Sequence, residues 1–550
     1  MRLITEGWRC REQRRRGLTI LGVIALLLAL GFATERHTAS AALAETGPRH
    51  GGIYRHPLFN NPESLDPAQA TSIYAGSVIH QVFDGLVQVD GKLGLRPALA
   101  RFWQASQDGR VWTFQLRPGV RFHHGRELTA DDVVYSFTRL LEPRNRSPSF
   151  RLFMRVQGAD AFRAGTADHV AGFEVLDPYT LRITLSEPYA LFIHHLVMTA
   201  AKIVPRDEVE RLGEVFGQHP VGTGPFRLVR WEPDATIVLE AYPDHFRRRP
   251  YLDQLHFRIF PRSKLKAALA AFEQGELEET QLPVQVRQRL LNEPHYRVVR
   301  QPLLATLFLL LDTQPGPLHH PQVRQAINYA INREAINGTL RQGYSRTASG
   351  ILPFGMPGYN FDLHGYPYDP EHARRLLAEA GYPNGQGLGP LELWTSVESD
   401  IAKAEHTAVK RALEQLGLTV QLRTASSWTQ YKREIIGKRP GGIYRYAWYA
   451  DFADPYNFLY TLFHSTSPGN YTNYANPQVD RLLDQAQREL DQRKRLALYR
   501  QAESLIMEDA PTVNLVYYAM ERLFQPYVRG IEVQALGEHF TPMHPVWLDR

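Results

Sequence analysis

The chain has 550 residues, 43% of them hydrophobic, and a formal net charge of +6; single cores stop growing near ~250–300 residues, which excludes one compact domain and points to two or more lobes. Seven Arg and three Glu of that balance lie in residues 1–44, and without them the charge falls to about +2, which gives no basic stripe of the kind nucleic-acid binding needs. The one cysteine, Cys10, lies in the same stretch, so the rest of the chain has no disulfide, thiolate ligand or cysteine nucleophile.

Residues 1–44 read as a secretory leader: Arg9, Arg11, Arg14, Arg15 and Arg16 precede the apolar run Leu18 to Ala33, and Ala42-Leu43-Ala44 offers a small-x-small cleavage site. The run is shorter than the ~20 residues of a spanning helix, so cleavage after Ala44 is preferred over retention as an anchor. No Cys follows the run to carry a lipid. A periplasmic destination follows.

The mature part opens with a short strand and a Pro/Asn loop, then a helix from about Ser72 to Phe83. Two alternating runs around Pro118-Gly119 read as a hairpin, and a helix capped by Thr129, with Asp132 three residues on, ends at Pro143. From 175 to 260 the runs TLRITL, FRLVRW, ATIVLEAY and LDQLHFRIF read as strands of one sheet. The segment 321–336 carries the helical stripe Val323, Ala326, Ile327, Ala330 and Ile331 with a charged, amide-rich outer face, and a second helix starts at Asp369-Pro370. Residues 391–423 give strand, helix, strand: a βαβ unit with parallel strands and a right-handed crossover. Helices from Pro477 and from about Gln492 to Glu508 then lead into the strand TVNLVYY.

The stretch 445–463, RYAWYADFADPYNFLYTLF, sets Asp451 and Asp454 among eight aromatics, and Pro455 forbids an ordinary helix or central strand through the acidic part. It reads as a recognition loop; the alternative makes the aromatics core and both acids turn formers or caps. Strong catalytic motifs are missing, with no G-x-S-x-G, H-E-x-x-H or phosphate-cradling glycine loop. His123-His124, His194-His195 and His319-His320 are adjacent pairs whose members point apart on a strand, so no metal site is expected, and no cofactor. The acid pairs Asp131-Asp132 and Asp207-Glu208 sit at expected helix N-termini and suit the dipole there.

The run 95–143, with Leu116-Arg117-Pro118-Gly119-Val120, Phe122-His123-His124-Gly125 and Thr129-Ala130-Asp131-Asp132-Val133, resembles the signature of the extracytoplasmic solute-binding proteins of ATP-driven (ABC) importers, in their peptide, oligopeptide and nickel-binding group. His124 stands where that family usually has Asp. Supporting matches lie at 60–70, 222–231, 323–336, 368–383 and 503–518, so the resemblance runs from about 51 to 530. It implies a bilobal α/β periplasmic-binding-protein fold: two α/β lobes joined by two hinge strands, with an extra small domain on the first lobe. The first lobe would take 45–84, 176–302 and 512–550, the extra domain 85–175, and the second lobe 303–511.

The resemblance also implies a site. Family members that bind peptides carry a Gly-Trp-x-x-Asp segment, which here reads Ala447-Trp448-Tyr449-Ala450-Asp451. Asp451 would accept a peptide α-amine and Arg445 would meet a carboxylate, while Trp428 lines a side-chain pocket and the backbone of 447–449 pairs with the ligand. Ala447 replaces the usual Gly and Tyr449 is bulkier than usual. Tyr74 and Ser77 would face the ligand from the first lobe. The implied function is a periplasmic receptor, monomeric and without enzymatic activity, that delivers peptides to a membrane permease. The rival within the fold is another solute (nickel chelate, haem, opine, glutathione or oligosaccharide). Rivals outside it are a hydrolase using Asp451 and Asp454 as an acid pair, and an envelope scaffold.

Overall fold

The computed structural model describes residues 47–261, 265–293, 295–396, 399–437 and 441–550. The leader at 1–44 lies outside them. In the first lobe a four-stranded sheet runs in the order Ile53–Leu58, Gln254–Ile259, Thr236–Ala241, Phe226–Glu232, its first pair parallel and the others antiparallel. The helix Ile73–Val82, capped by Ser72, lays Val78, Ile79 and Val82 into the same core as Tyr54, Leu239 and Leu255.

The extra domain carries a separate antiparallel sheet in the order Ala100–Ala105, Val111–Leu116, Thr180–Thr184, Phe173–Asp177. Two expectations fail here. The run TLRITL does not join the strands at 226–259, because its partner Phe173–Asp177 is one tight turn away and local pairing wins. Nor is there a hairpin at Pro118-Gly119: both edges of Val111–Leu116 are already taken. The second run closes on itself instead, Phe122 N–H donating to Arg126 O (2.9 Å) and Leu128 N–H to Val120 O (2.8 Å). The helix Ala130–Leu141 covers this sheet with Val133, Phe137, Leu140 and Leu141. Asp132 accepts from Thr129 N–H at 3.0 Å and pairs with Arg126, so it works as a cap.

A seven-stranded sheet forms the second lobe and the connection. Its order is Glu279–Gln281, Thr512–Phe524, Arg297–Leu311, Gly442–Tyr449, Leu391–Thr395, Val420–Thr424, with Arg346–Thr347 beside Thr512–Phe524. Leu391–Thr395 and Val420–Thr424 are parallel around the helix Asp400–Glu414, as the βαβ reading requires. The strands Arg297–Leu311 and Thr512–Phe524, 15 and 13 residues long, pair from Arg297 opposite Phe524 to Leu310 opposite Thr512. At about 3.3 Å per residue they span roughly 40–50 Å, enough to run through both lobes. The register breaks between Pro302 and Thr306, where proline has no N–H to give. These are the two hinge strands.

The helical segment 321–336 is two helices, Pro321–Ala330 and Arg333–Arg341, and its outer face is not all solvent. Arg324 and Asn328 are buried and donate to the carbonyls of Asp509 and Thr512 (3.0 and 3.1 Å). Their polar ends satisfy the start of a hinge strand. The lobes touch: Leu304 N–H donates to Ala535 O at 2.8 Å, and Ala535 and Leu536 sit in the second lobe's core. Among the described residues no helix is long and apolar enough to cross a membrane.

Candidate functional site

The stretch 445–463 resolves into three parts: the end of the strand Gly442–Tyr449, a bend at 450–455, and the helix Tyr456–Phe463. The irregular part is therefore short, and its flanks are regular. The period of two in the strand sorts the side chains. Tyr446 and Trp448 pack on the core that contains Tyr431, whereas Ala447 packs on the opposite core.

On the first face, Trp428 stacks over Tyr446 (6.4 Å, 17°) and Tyr446 over Trp448 (6.3 Å, 25°), and Trp428 is 50% exposed. The three rings make one row beside the bend. On the other face, Arg445 Nε donates to Glu405 Oε1 at 2.7 Å and Arg341 Nη2 donates to Glu405 Oε2 at 2.6 Å. Burial opposes the Glu405 charge, but the two guanidiniums outweigh it and hold its carboxyl below the usual range. The triad carries one positive charge in excess. Tyr449, 50% exposed, stacks on Tyr518 of the second hinge strand at 5.6 Å and 10°.

The strand Gly442–Tyr449 pairs along one edge with the first hinge strand, Ala305 to Leu311 opposite Tyr449 to Ile443. On the other edge Leu391–Thr395 reaches only Gly442, Ile443 and Tyr444. Among the described residues no strand takes that edge from Arg445 to Tyr449, so it is open to an added one apart from the Arg445 carbonyl, which accepts from the Tyr431 hydroxyl at 2.6 Å.

Asp451 follows at the end of this edge. It is open to water, yet desolvation by the protein around it pushes its carboxyl above the usual range, against one hydrogen bond from Asn457. Among the described residues no cationic side chain lies within ion-pair reach of Asp451. Asp454 differs: it is buried, accepts from Tyr456 N–H at 3.0 Å and pairs with Arg495 at 3.1 Å, so it pins the bend. Its carboxylate is committed to structure, which removes it from an acid pair with Asp451.

Tyr74 and Ser77 lie on the helix Ile73–Val82 of the first lobe. Tyr74 packs on two first-lobe cores, and Ser77 is buried, its hydroxyl donating to Ile73 O at 3.0 Å beside a water-sized cavity of about 10 Å³. The structure thus groups Asp451, Trp448 and Trp428 on one side of the open edge and Arg445, Ala447 and Tyr449 on the other. Tyr74 and Ser77 stand apart in the other lobe. Sequence reasoning missed Glu405, Arg341, Asn457 and Tyr518. For Asn457 a signal existed, an amide one helical turn past the acids; Glu405 and Arg341 gave none, since Glu405 meets Arg445 from 40 positions away and Arg341 meets Glu405 from 64. Groups of three or more side chains fit to hold a metal do not occur among the described residues.

Comparison with known proteins agrees with this architecture. The family model of the bacterial extracellular solute-binding proteins, family 5, matches residues 94–470. The glutathione-binding protein GsiB of Pectobacterium atrosepticum is 31% identical over 470 residues, 84% of this chain and 87% of that one. Heme-binding protein A of Haemophilus influenzae is 30% identical over 548 residues, covering 94% and 96%. Among solved structures, the periplasmic binding protein DppA of Helicobacter pylori in complex with the peptide STSA superposes with a TM-score of 0.75 at 31% identity, over 91% of this chain and 99% of that one. HbpA2 of Haemophilus parasuis gives 0.79 at 26%, over 90% and 100%. A match across most of the chain, on a bilobal scaffold with two hinge strands, shows that the protein belongs to the bacterial extracellular solute-binding proteins of family 5, the binding components of ABC importers.

Proposed function

We propose that this protein captures short peptides in the cleft between its lobes and hands them to an inner-membrane ABC permease. The observation that carries the reading is Asp451: an exposed yet desolvated carboxylate without a cationic partner among the described residues, at the end of a strand with an open edge. A peptide ammonium supplies the missing charge, and its backbone adds as a strand along Arg445–Tyr449. Those four residue steps cover about 13 Å, the length of an extended three- or four-residue peptide. Such a ligand ends at Arg445, where the surplus positive charge of the triad meets its carboxylate. Side chains on both faces of the edge, Trp428 and Trp448 on one and Tyr449 on the other, flank it. Tyr74 faces the ligand from the far wall once the lobes are shut, whereas Ser77, buried with its hydroxyl on Ile73 O, is left out of the site.

Secretion to the periplasm through a cleaved leader, a monomeric state and the absence of turnover belong to the same reading. So do lobe boundaries at 84, 302 and 511, with the extra domain running past 175 to take in Thr180–Thr184 and the core residues up to Ile203. Glutathione, the ligand in the name of one relative, offers a free amine and two carboxylates and fits the same two poles. A flat solute such as haem, named in another, is favoured by the ring row Trp428, Tyr446 and Trp448. Native mass spectrometry of the secreted protein decides between them. A co-purified ligand of three- to four-residue peptide mass supports the proposal, and a porphyrin or sugar mass overturns it.

A further inference from the structure

Asn457 sits in the first turn of the helix Tyr456–Phe463 and is buried, an expensive place for a primary amide unless every polar atom is used. Its side chain points back at the bend. Oδ1 accepts from the Trp448 indole N–H at 3.0 Å and from the Asp451 backbone N–H at 3.1 Å, and Nδ2 donates to Asp451 Oδ2 at 3.2 Å. The orientation of the amide is dictated by chemistry. The indole and the backbone amide can only donate, so the end facing them must be oxygen, and the NH₂ is left for the carboxylate. One residue therefore ties the last ring of the aromatic row to both the backbone and the carboxylate of Asp451.

We propose that Asn457 is the positioning residue of the ligand-amine site, fixing the Asp451 carboxylate and the Trp448 indole as one rigid unit and leaving Asp451 Oδ1 for the ligand. The inference rests on the reading of Asp451 as the amine anchor. Asn457 does not touch the ligand; it acts through Asp451. Its donated bond is the one influence on the Asp451 carboxyl that favours the charged form, against the desolvation that opposes it. The other ionisable groups around the bend are accounted for. Tyr446 on the strand is the titratable neighbour that feels the Asp451 charge, Asp454 is neutralised by Arg495, and His194 and His195 of the extra domain pack on Phe452. None of them donates to Asp451.

Two variants separate positioning from mere packing. Asn457→Asp keeps an acceptor for the indole and the backbone amide but replaces the donor with a like charge, whereas Asn457→Leu removes all three contacts at similar volume. The readout is the ¹³C titration of aspartate-labelled, ligand-free protein, with the Asp451 signal identified by its loss in Asp451→Asn. Loss of a hydrogen bond to a charged group raises the midpoint of Asp451 by about one unit or more in both variants; in Asn457→Asp this midpoint belongs to the carboxylate pair. Affinity for the probe trialanine at pH 7 falls about tenfold or more, and the deficit widens as the pH is lowered. An Asp451 midpoint unchanged in a folded Asn457→Asp protein overturns the proposal. Should wild-type protein ignore trialanine, the peptide reading falls, while the ligand-free titration still decides the role of Asn457.

Discussion

At the scale of single residues, charge placement explains what packing does not. Glu405 is fully enclosed between Arg341 and Arg445, and removing one member of a buried ion group leaves the others without compensation. Glu405→Ala therefore lowers stability by about 3–5 kcal/mol, read as a shift in the urea midpoint at constant slope. Glu279 of the first lobe shows the same logic against pH. Burial works against its charge, but Arg522 and His56 outweigh it and draw the carboxyl down to about 2. Its native pKa is below the unfolded value of about 4.3, so the unfolded chain takes up the proton first as the pH falls. The stabilisation is complete above about 4.3, erodes below it and is gone under the native pKa. Glu279→Gln flattens the acid limb of stability in that window, which thermal melts from pH 5 to 2 would show. Asp451 stood out in the sequence through its place among aromatics and the resemblance of 447–451 to a family segment. Glu405 did not, because its partners come from elements that only the fold brings together.

At the scale of elements, periodicity and punctuation were read well where local chemistry decides. Helices begin close to where they are expected, capped by Ser72, Asp369 and Asn476, and the βαβ unit has its parallel register. Pairing choices were read poorly: whether Val111–Leu116 meets the run after Gly119 or two other strands depends on competition for edges, which no single segment encodes. The helix Gln492–Asp509 contains a further consequence. Glu503 accepts from the backbone N–H groups of Ile351 and Leu352, both at 2.9 Å, but burial dominates and pushes its carboxyl up to about 7. Here the native state binds the proton more tightly than the unfolded chain, so stability declines as the pH rises from about 4.3 towards 7. Glu503→Gln keeps the carbonyl acceptor and abolishes that decline. A denaturation series at pH 5, 6, 7 and 8 would show a gain for the variant that grows with pH; a gain independent of pH would contradict the assignment.

At the scale of the whole molecule, the two hinge strands are what make two lobes one receptor. Thr512–Phe524 pairs with Glu279–Gln281 of the first lobe, Arg297–Leu311 pairs with Gly442–Tyr449 of the second, and the two pair with each other, so anything that grips both lobes shifts the closure equilibrium. The bend at 450–455 sits where closure is felt. Asp451 is exposed there, while Phe452 is buried in the core of the extra domain and Tyr456 meets Tyr189 edge-on at 6.0 Å. A ligand that binds only the folded, closed form raises the melting temperature with its concentration, and an envelope scaffold would not respond in this way. Two lobes were legible from the length, and their interleaving from the resemblance. Their contact through Leu304 and Ala535 was not, because it joins segments more than 200 residues apart.

The most direct test of the account is isothermal calorimetry of trialanine and N-acetyl-trialanine on wild-type protein and on Asp451→Asn. A desolvated charge pair broken at one partner costs about 2–5 kcal/mol. Acetylation should therefore weaken wild-type binding by about thirtyfold or more and make little further difference in Asp451→Asn. Equal affinity of wild-type protein for the free and acetylated peptides would contradict the placing of the ligand amine on Asp451.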